Sequence, residues 1–328
     1  MALPPTVLVT GAAGFVGSHL LDRLPHGDAR IVGWRRPGES LPPAPTGTAC
    51  EWMEVDILDR AAVEAAVAAK PPAMVCHLAG VAHVGHSWDR AAHTLAVNVL
   101  GTHHLLSAVA AVAPACRVLI AGSALVYRPQ DRALSEDDPL GPVSPYGLSK
   151  LAQEMAAVQA FAESGLPVVV TRSFNHIGPR QDPSFSTASF ARQIARIEAG
   201  LAPPAVQAGN LDARRDLTDV RDTVEAYRAL LARGQPGRVY NVCRGVAYRV
   251  GDILEGLRAQ ARVPIEIRTD AALLRRHDVP LMLGSGARLE RELGWTPRIP
   301  IERTLADILE FWRAAVAAET GRGGDAAT

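Results

Sequence analysis

The sequence predicts an α/β fold: a doubly wound parallel sheet carrying a smaller C-terminal domain. Three observations predict it. Short apolar runs alternate with stretches of helical spacing through the first half, the pattern of a parallel sheet with helices on both faces. A glycine-rich turn joins the first strand to the first helix. Past residue 173 the rhythm breaks in a stretch rich in Pro, Gly and Asn, then resumes with a helix and a strand.

The elements follow in order. The apolar run at residues 7–10 is the first strand, and residues 14–24 have helical spacing. Residues 30–34 form a strand that runs into a Pro/Gly loop, and residues 50–55 form another. Residues 61–69 are helical and 74–79 are strand. A long apolar helix at 95–112 leads to a strand at 117–121. Residues 145–162 are helical again and 167–171 return as strand. After the break at 174–213, helix 220–232 and strand 239–242 rejoin the sheet. Helices at 250–261 and 301–318, with short strands between, build the smaller domain. The small polar residues 321–328 read as a disordered tail. The predicted division is residues 1–175 plus about 216–245 for the sheet domain, and about 176–215 with 246–320 for the smaller one.

Composition narrows the function. Apolar residues make up 48% of the 328, enough for a sizeable core. Lysine plus arginine equals aspartate plus glutamate at 34 each, so no global field holds nucleic acid or an anionic membrane. An anionic substrate therefore needs a local arginine cluster. The four cysteines, Cys50, Cys76, Cys116 and Cys243, form no CxxC pair. That argues against a structural metal and suits a reducing compartment. No signal pattern opens the chain, and no apolar run is read as a membrane span, so a cytoplasmic protein is expected.

Two motifs carry chemistry. Thr10-Gly-Ala-Ala-Gly-Phe-Val-Gly17 lies between the first strand and helix. Gly11 allows the tight turn, Gly14 lets backbone approach a pyrophosphate, and Gly17 lets the helix pack on the sheet. Amides at the helix start, around Phe15 and Val16, are then free to hold phosphate. This is a Rossmann-type dinucleotide turn. At the end of the second strand stand Arg35 and Arg36, where NAD enzymes tend to place a carboxylate. Two guanidiniums suit a 2′-phosphate, so NADP(H) is expected, with NAD(H) the alternative. Asp56 is a candidate adenine contact, or a plain N-cap for the next helix. The second motif is Tyr146 with Lys150, four apart on one helix face. An ammonium there stabilises phenolate and orients ribose. Ser123 follows an apolar strand and would sit at its C-terminal edge, where ligands bind in open α/β sheets.

With these residues in place, the sequence resembles the extended short-chain dehydrogenase/reductases that act on nucleotide sugars. The matches are collinear: the glycine turn, His77-Leu-Ala-Gly80, Asn98-Val-Leu-Gly-Thr102, Ser123-Ala-Leu-Val-Tyr127, Tyr146-Gly-Leu-Ser-Lys150 and Arg215-Asp-Leu-Thr-Asp-Val220. Within the family the resemblance is greatest to GDP-4-keto-6-deoxy-D-mannose reductases, through Ser173-Phe-Asn-His-Ile-Gly-Pro-Arg-Gln181, the stretch 190–197, Gly209-Asn-Leu-Asp and Val239-Tyr-Asn-Val-Cys243. The resemblance implies Ser123, Tyr146 and Lys150 as catalytic residues. It implies Ile57, Leu78, Ala79, Gly80 and Asn98 around the cofactor. Asn175 and Arg215 would meet the substrate diphosphate, Arg275 a phosphate or ribose, and Ser87, Leu125 and Arg192 the rest of the sugar nucleotide. A homodimer through helices 95–112 and 145–162 is also implied.

One departure decides between relatives. Sugar-nucleotide 4,6-dehydratases carry a carboxylate two residues after the catalytic serine or threonine, and this chain has Leu125 there. Leucine does no acid–base work, so dehydration is not expected. The expected activity is reduction of a nucleotide 4-keto-6-deoxy sugar by NADPH. The alternatives are a 4-epimerase holding NAD and a non-catalytic NADP-sensing protein.

Overall fold

The computed structural model describes residues 5–24, 29–41, 49–274 and 278–324, with side chains to residue 319. The chain begins β1 (Thr6–Thr10), α1 (Phe15–Leu21), β2 (Arg30–Arg35), β3 (Cys50–Glu54), α2 (Arg60–Ala69) and β4 (Met74–His77). It continues with α3 (Ala91–Leu95), a π-helical turn (Ala96–Leu100), α4 (Gly101–Val112), β5 (Arg117–Ser123), α5 (Pro145–Ser164) and β6 (Val168–Ser173). Next come β7 (Asn175–Ile177), α6 (Ser186–Glu198), β8 (Ala205–Ala208), β9 (Arg214–Asp219), α7 (Val220–Arg233) and β10 (Val239–Val242). The last described elements are β11 (Ala247–Arg249), α8 (Val250–Arg258), β12 (Glu266–Thr269), β13 (Leu281–Met282), α9 (Ala287–Leu293) and α10 (Ile301–Gly324).

Seven strands make one parallel sheet in the order β10-β6-β5-β4-β1-β2-β3. Strand order reverses between β1 and β4, which opens a crevice at their C-terminal ends. The period of two along each strand fills both faces. Leu8, Val118, Ile120, Val168 and Val170 pack with α2, α4 and α5. Val7, Val9, Leu119 and Val169 point the other way, toward α1 and α7. A second sheet forms around β9, which pairs with β7, β11 and β13, and β8 pairs with β12. Helices α6, α8 and α10 close its core over Ile194, Leu254, Ile308 and Trp312.

Four expectations need correction. The chain does not re-enter the large sheet near residue 216. Instead β9 lies in the second sheet, and the return starts with α7. Helix α9 falls within the stretch assigned to the smaller domain, yet its Leu289 is buried in the large-sheet core. Helix α10 continues to Gly324, through the first half of the expected tail. Finally, the helical stretch Ala91–Val112 is, by length and composition, long and apolar enough to span a bilayer: it has 22 residues and contains an 18-residue window of mean hydropathy 1.5. Its Leu105, Leu106 and Val109 are spent on the sheet core.

Candidate active site

Helix α5 brings the reactive residues together. Ser144 caps it, accepting from the Gly147 amide at 3.0 Å, Pro145 opens its first turn, and Gly165 ends it at φ 71°. Its buried face carries Tyr146, Ser149, Lys150, Gln153, Glu154 and Ala157, spaced by three and four. Most of that face is polar, because it covers the crevice edge rather than the core. Burial pushes the Tyr146 phenol up to about 12, and a hydrogen bond with Ser123 opposes the shift. Burial lowers Lys150 to about 8. The Lys150 ammonium donates to Ala121 O at 2.9 Å and to Gln153 Oε1 at 2.8 Å. Ser123 ends β5, and its Oγ accepts from the Leu125 amide at 3.2 Å. Leu125 itself is half-buried in a single 3-10 turn, and no acid occupies that position.

The glycine turn fits a dinucleotide. Gly11 has φ +65°, and a Cβ there would come 2.8 Å from the Ala79 amide. Residues 78 and 79 therefore lie directly against the turn. A Cβ at Gly17 would sit 2.3 Å from Gly11 O, so only glycine lets α1 start so close. Gly14 is the N-cap and supplies no side chain, which leaves the first-turn amides of Phe15, Val16 and Gly17 to a ligand. Gly80 lies beside Lys150, with a hypothetical Cβ 3.7 Å from Nζ. At the end of β2, Arg36 is exposed. Arg35 pairs with Glu54 at 2.5 Å and with Glu39 O, and its buried Nε has no hydrogen-bond partner among the described residues. Asp56 is exposed and accepts from the Leu58 amide at 2.9 Å. The N-cap of α2 is Asp59, so the capping alternative for Asp56 falls.

A cavity of about 600 Å³ opens beside this crevice, lined by Asn175 and His176 of β7, Phe190 of α6, and Arg215 of β9. Asn175 is exposed into it. Arg215 is held by Asp278 at 2.6 Å. Asp216 accepts from the amides of Arg244 and Gly245, each at 2.8 Å, and burial pushes its carboxyl up to about 6. Asp219 caps α7 and pairs with Arg221. Phe15 stacks on His176 with ring centroids 6.0 Å apart, so the dinucleotide helix abuts the cavity wall.

Several expected contacts lie elsewhere. Ser87 is fully buried, and its hydroxyl donates to Val84 O at 2.7 Å and accepts from the Tyr146 amide at 3.2 Å. It braces Tyr146 from behind. Arg192 turns away from the cavity, over the Trp312 ring and toward Glu319. Asn98, in the π-turn, is fully buried and spends its amide on Val81 and on Ser149 Oγ at 2.9 Å, so it ties α5 to the loop after β4. Ile57 packs in the core against Gly101. Arg275 lies outside the described residues. Sequence reasoning assigned no role to Gln153, although it sits three residues after Lys150 on the same face. It also passed over His83, His86 and His176, which line the cavity. Among the described residues, no group of three or more His, Cys, Asp or Glu is placed to hold a metal ion.

This geometry has relatives. A GDP-6-deoxy-D-mannose reductase of Pseudomonas aeruginosa is 38% identical over 316 residues, covering 95% of this chain and 99% of its own. The solved structure of RMD from Pseudomonas aeruginosa complexed with NADPH superposes with a TM-score of 0.82 at 36% identity, over 95% of this chain and 99% of that one. MoeE5 in complex with UDP-glucose and NAD superposes with a TM-score of 0.84 at 30% identity, over 95% and 99%. The profile of GDP-mannose 4,6 dehydratase spans residues 8–308, and on that match the chain belongs to the GDP-mannose 4,6 dehydratase family, with an extended short-chain dehydrogenase/reductase fold.

Proposed function

We propose that the protein is an NADPH-dependent reductase of the 4-keto group of a nucleotide 4-keto-6-deoxy sugar, with GDP-4-keto-6-deoxy-D-mannose as substrate and GDP-D-rhamnose as product. One observation carries the choice: the position two residues after Ser123 holds Leu125, so the acid that dehydration requires is absent. Tyr146 is a buried phenol whose pKa burial raises while a hydrogen bond with Ser123 opposes the shift, so it is protonated at neutral pH and can donate. Bound NADPH supplies a hydride for the C4 carbonyl carbon. Tyr146 gives its proton to the developing alkoxide, and Ser123 donates a hydrogen bond to the same oxygen. Lys150 would hold the cofactor ribose. The test is direct: NADPH absorbance should fall when the keto sugar is added and stay level with GDP-mannose.

Cofactor choice is read in the same assay. NADPH should give a higher kcat/KM than NADH, and Arg35→Asp should erode that preference by about 10- to 100-fold, the worth of a hydrogen bond to a charged group. Equal kcat/KM for the two cofactors in the wild type sinks the assignment. The Glu54 carboxylate on Arg35 favours the second reading, an NAD-holding 4-epimerase. In that case the purified protein would release NAD and convert sugar epimers without net cofactor oxidation.

Substrate anchoring rests on Arg215. A diphosphate buried without a partner is costly, and a guanidinium satisfies it bidentately. Asp278 holds Arg215 at the cavity wall, in reach of such a group. Arg215→Ala should weaken GDP binding about 10- to 100-fold by calorimetric titration, while NADPH affinity holds. Unchanged GDP affinity removes Arg215 from the site. The dimer and the cytoplasmic location belong to this reading as well. Exposed Leu100, Leu148, Met155 and Val158 on the π-turn and α5 support a helical interface between two copies.

A further inference from the structure

A continuous chain of buried hydrogen bonds runs from the Lys150 ammonium to the strand that enters the glycine turn. Its donor directions can be counted out. Thr10 Oγ1 accepts from the amides of Leu78 at 3.2 Å and Ala79 at 3.1 Å. Its one proton therefore goes to His77 Nδ1, 2.7 Å away. With Nδ1 accepting, the imidazole is neutral and carries its proton on Nε2. That proton points to Thr102 Oγ1 at 2.9 Å. Thr102 gives its own proton to Asn98 O at 2.7 Å and accepts a second from Gln153 Nε2, also at 2.7 Å. The Gln153 amide is thereby oriented, and its Oε1 must face Lys150 Nζ at 2.8 Å. Thr10 and Thr102 are fully buried, and His77 and Gln153 are 1% exposed, so water does not compete for any of these bonds. Burial with the nearby Lys150 charge lowers His77 to about 3, in accord with a ring that never takes a second proton.

We propose that Gln153 is a positioning residue: it fixes the Lys150 ammonium toward the cofactor and ties it through Thr102 and His77 to Thr10 beneath the glycine turn. The proposal rests on the reading of Lys150 as the lysine that serves the cofactor and Tyr146. An ammonium has three donors. Ala121 O and Gln153 Oε1 take two of them, which leaves one N–H directed by the other two. A flexible lysine stem is thus held in one rotamer before a ligand arrives, and the cost of ordering it falls on folding rather than on binding. Gln153 also supplies a neutral acceptor. A carboxylate there would raise the lysine pKa, and an apolar residue would lower it. The titratable group from a neighbouring element that feels the Lys150 charge is His77 of β4, which is held neutral; Tyr146 lies four residues earlier on the same helix face.

The test uses Gln153→Met, which keeps the shape and loses both bonds, and Gln153→Glu, which keeps an acceptor and adds charge. NADPH affinity is titrated across pH, with no sugar present, and kcat and KM for keto reduction are then measured over the same range. Gln153→Met should weaken NADPH binding and lower kcat, each about tenfold or more, with the sugar KM unchanged. Its alkaline limb should move to lower pH. For Gln153→Glu the limb should move to higher pH by about one unit or more. A network that served only stability would lower the melting temperature and leave both limbs where they were, and that result overturns the proposal. So does a common shift of both variants in one direction. Lys150→Met separates the two levels. If it abolishes turnover while both Gln153 variants behave as wild type, Gln153 alone is reassigned. If it turns over normally, the reading of the site falls and the proposal with it.

Discussion

Tyr146→Phe is expected to lower kcat for keto reduction by roughly 10²- to 10⁴-fold, the usual worth of a positioned general acid. The substitution deletes one oxygen and keeps the ring. Tyr146 is 8% exposed and packed on the buried face of α5, so phenylalanine fills the same space. The Ser87 brace acts on the backbone amide of residue 146 and survives the change. NADPH affinity should therefore hold within a few-fold, and the melting temperature should change little. What is lost is the proton for the alkoxide. Ser123 still donates a hydrogen bond to that oxygen, but an aliphatic hydroxyl is a poorer acid than a phenol. Single-turnover oxidation of bound NADPH isolates the chemical step from product release. A rate near wild type would mean that another group delivers the proton.

Glu154→Ala should lower stability by about 3–5 kcal/mol. Glu154 of α5 and Arg172 of β6 form a bidentate pair at 2.6 and 2.9 Å, with both side chains nearly inaccessible. Arg172 also donates to Glu136 O and lies over the Tyr127 ring. Removing the carboxylate leaves a guanidinium buried with its charge uncompensated. The same helix carries Tyr146 and Lys150, so activity should fall along with stability. Urea denaturation reads the loss directly. Replacing both partners together, Glu154→Leu with Arg172→Met, should recover most of it, because the charge left behind is the main cost. An unchanged midpoint in Glu154→Ala would show that solvent or another acid compensates Arg172.

The large sheet was legible because its strands are apolar runs of the right length, buried on both faces. Val168, Val169 and Val170 announce β6 without help from any partner. By contrast, β9 reads Arg-Arg-Asp-Leu-Thr-Asp, which shows no strand periodicity. Its Asp216 is buried because amides from the β10–β11 connection and Gly284 converge on it. Those partners are distant in sequence, so the burial of an acid there could not be foreseen. Tyr146, Lys150 and the glycine turn were legible because local spacing sets their geometry. Ser87 and Arg192 were misplaced for the opposite reason: their orientation depends on which neighbour covers them. Arg192 sits on the face of α6 that meets α10, where Trp312 and Glu319 engage it. Gln153 could have been found, since it shares the face of Tyr146 and Lys150. A glutamine on a helix side that packs inward has to be satisfied by something.

The placement of β10 has a consequence for the order in which the chain is made. Strand β6 is flanked by β5 on one side and by β10 on the other. When synthesis has just passed β6, its outer edge has no neighbour, and three consecutive valines border it. The strand that covers this edge is encoded about 70 residues later, beyond α6, β8 and β9. A nascent chain must therefore carry an open, apolar sheet edge while most of the first substrate-side segment emerges from the ribosome. Such edges recruit other strands. Only once residues 239–242 are out can β10 close it, along with the Tyr127 to Asn241 hydrogen bond at 2.6 Å that pins the new strand's side chain. The cofactor half is thus completed late, and until β10 pairs with β6 that edge is open to mispairing.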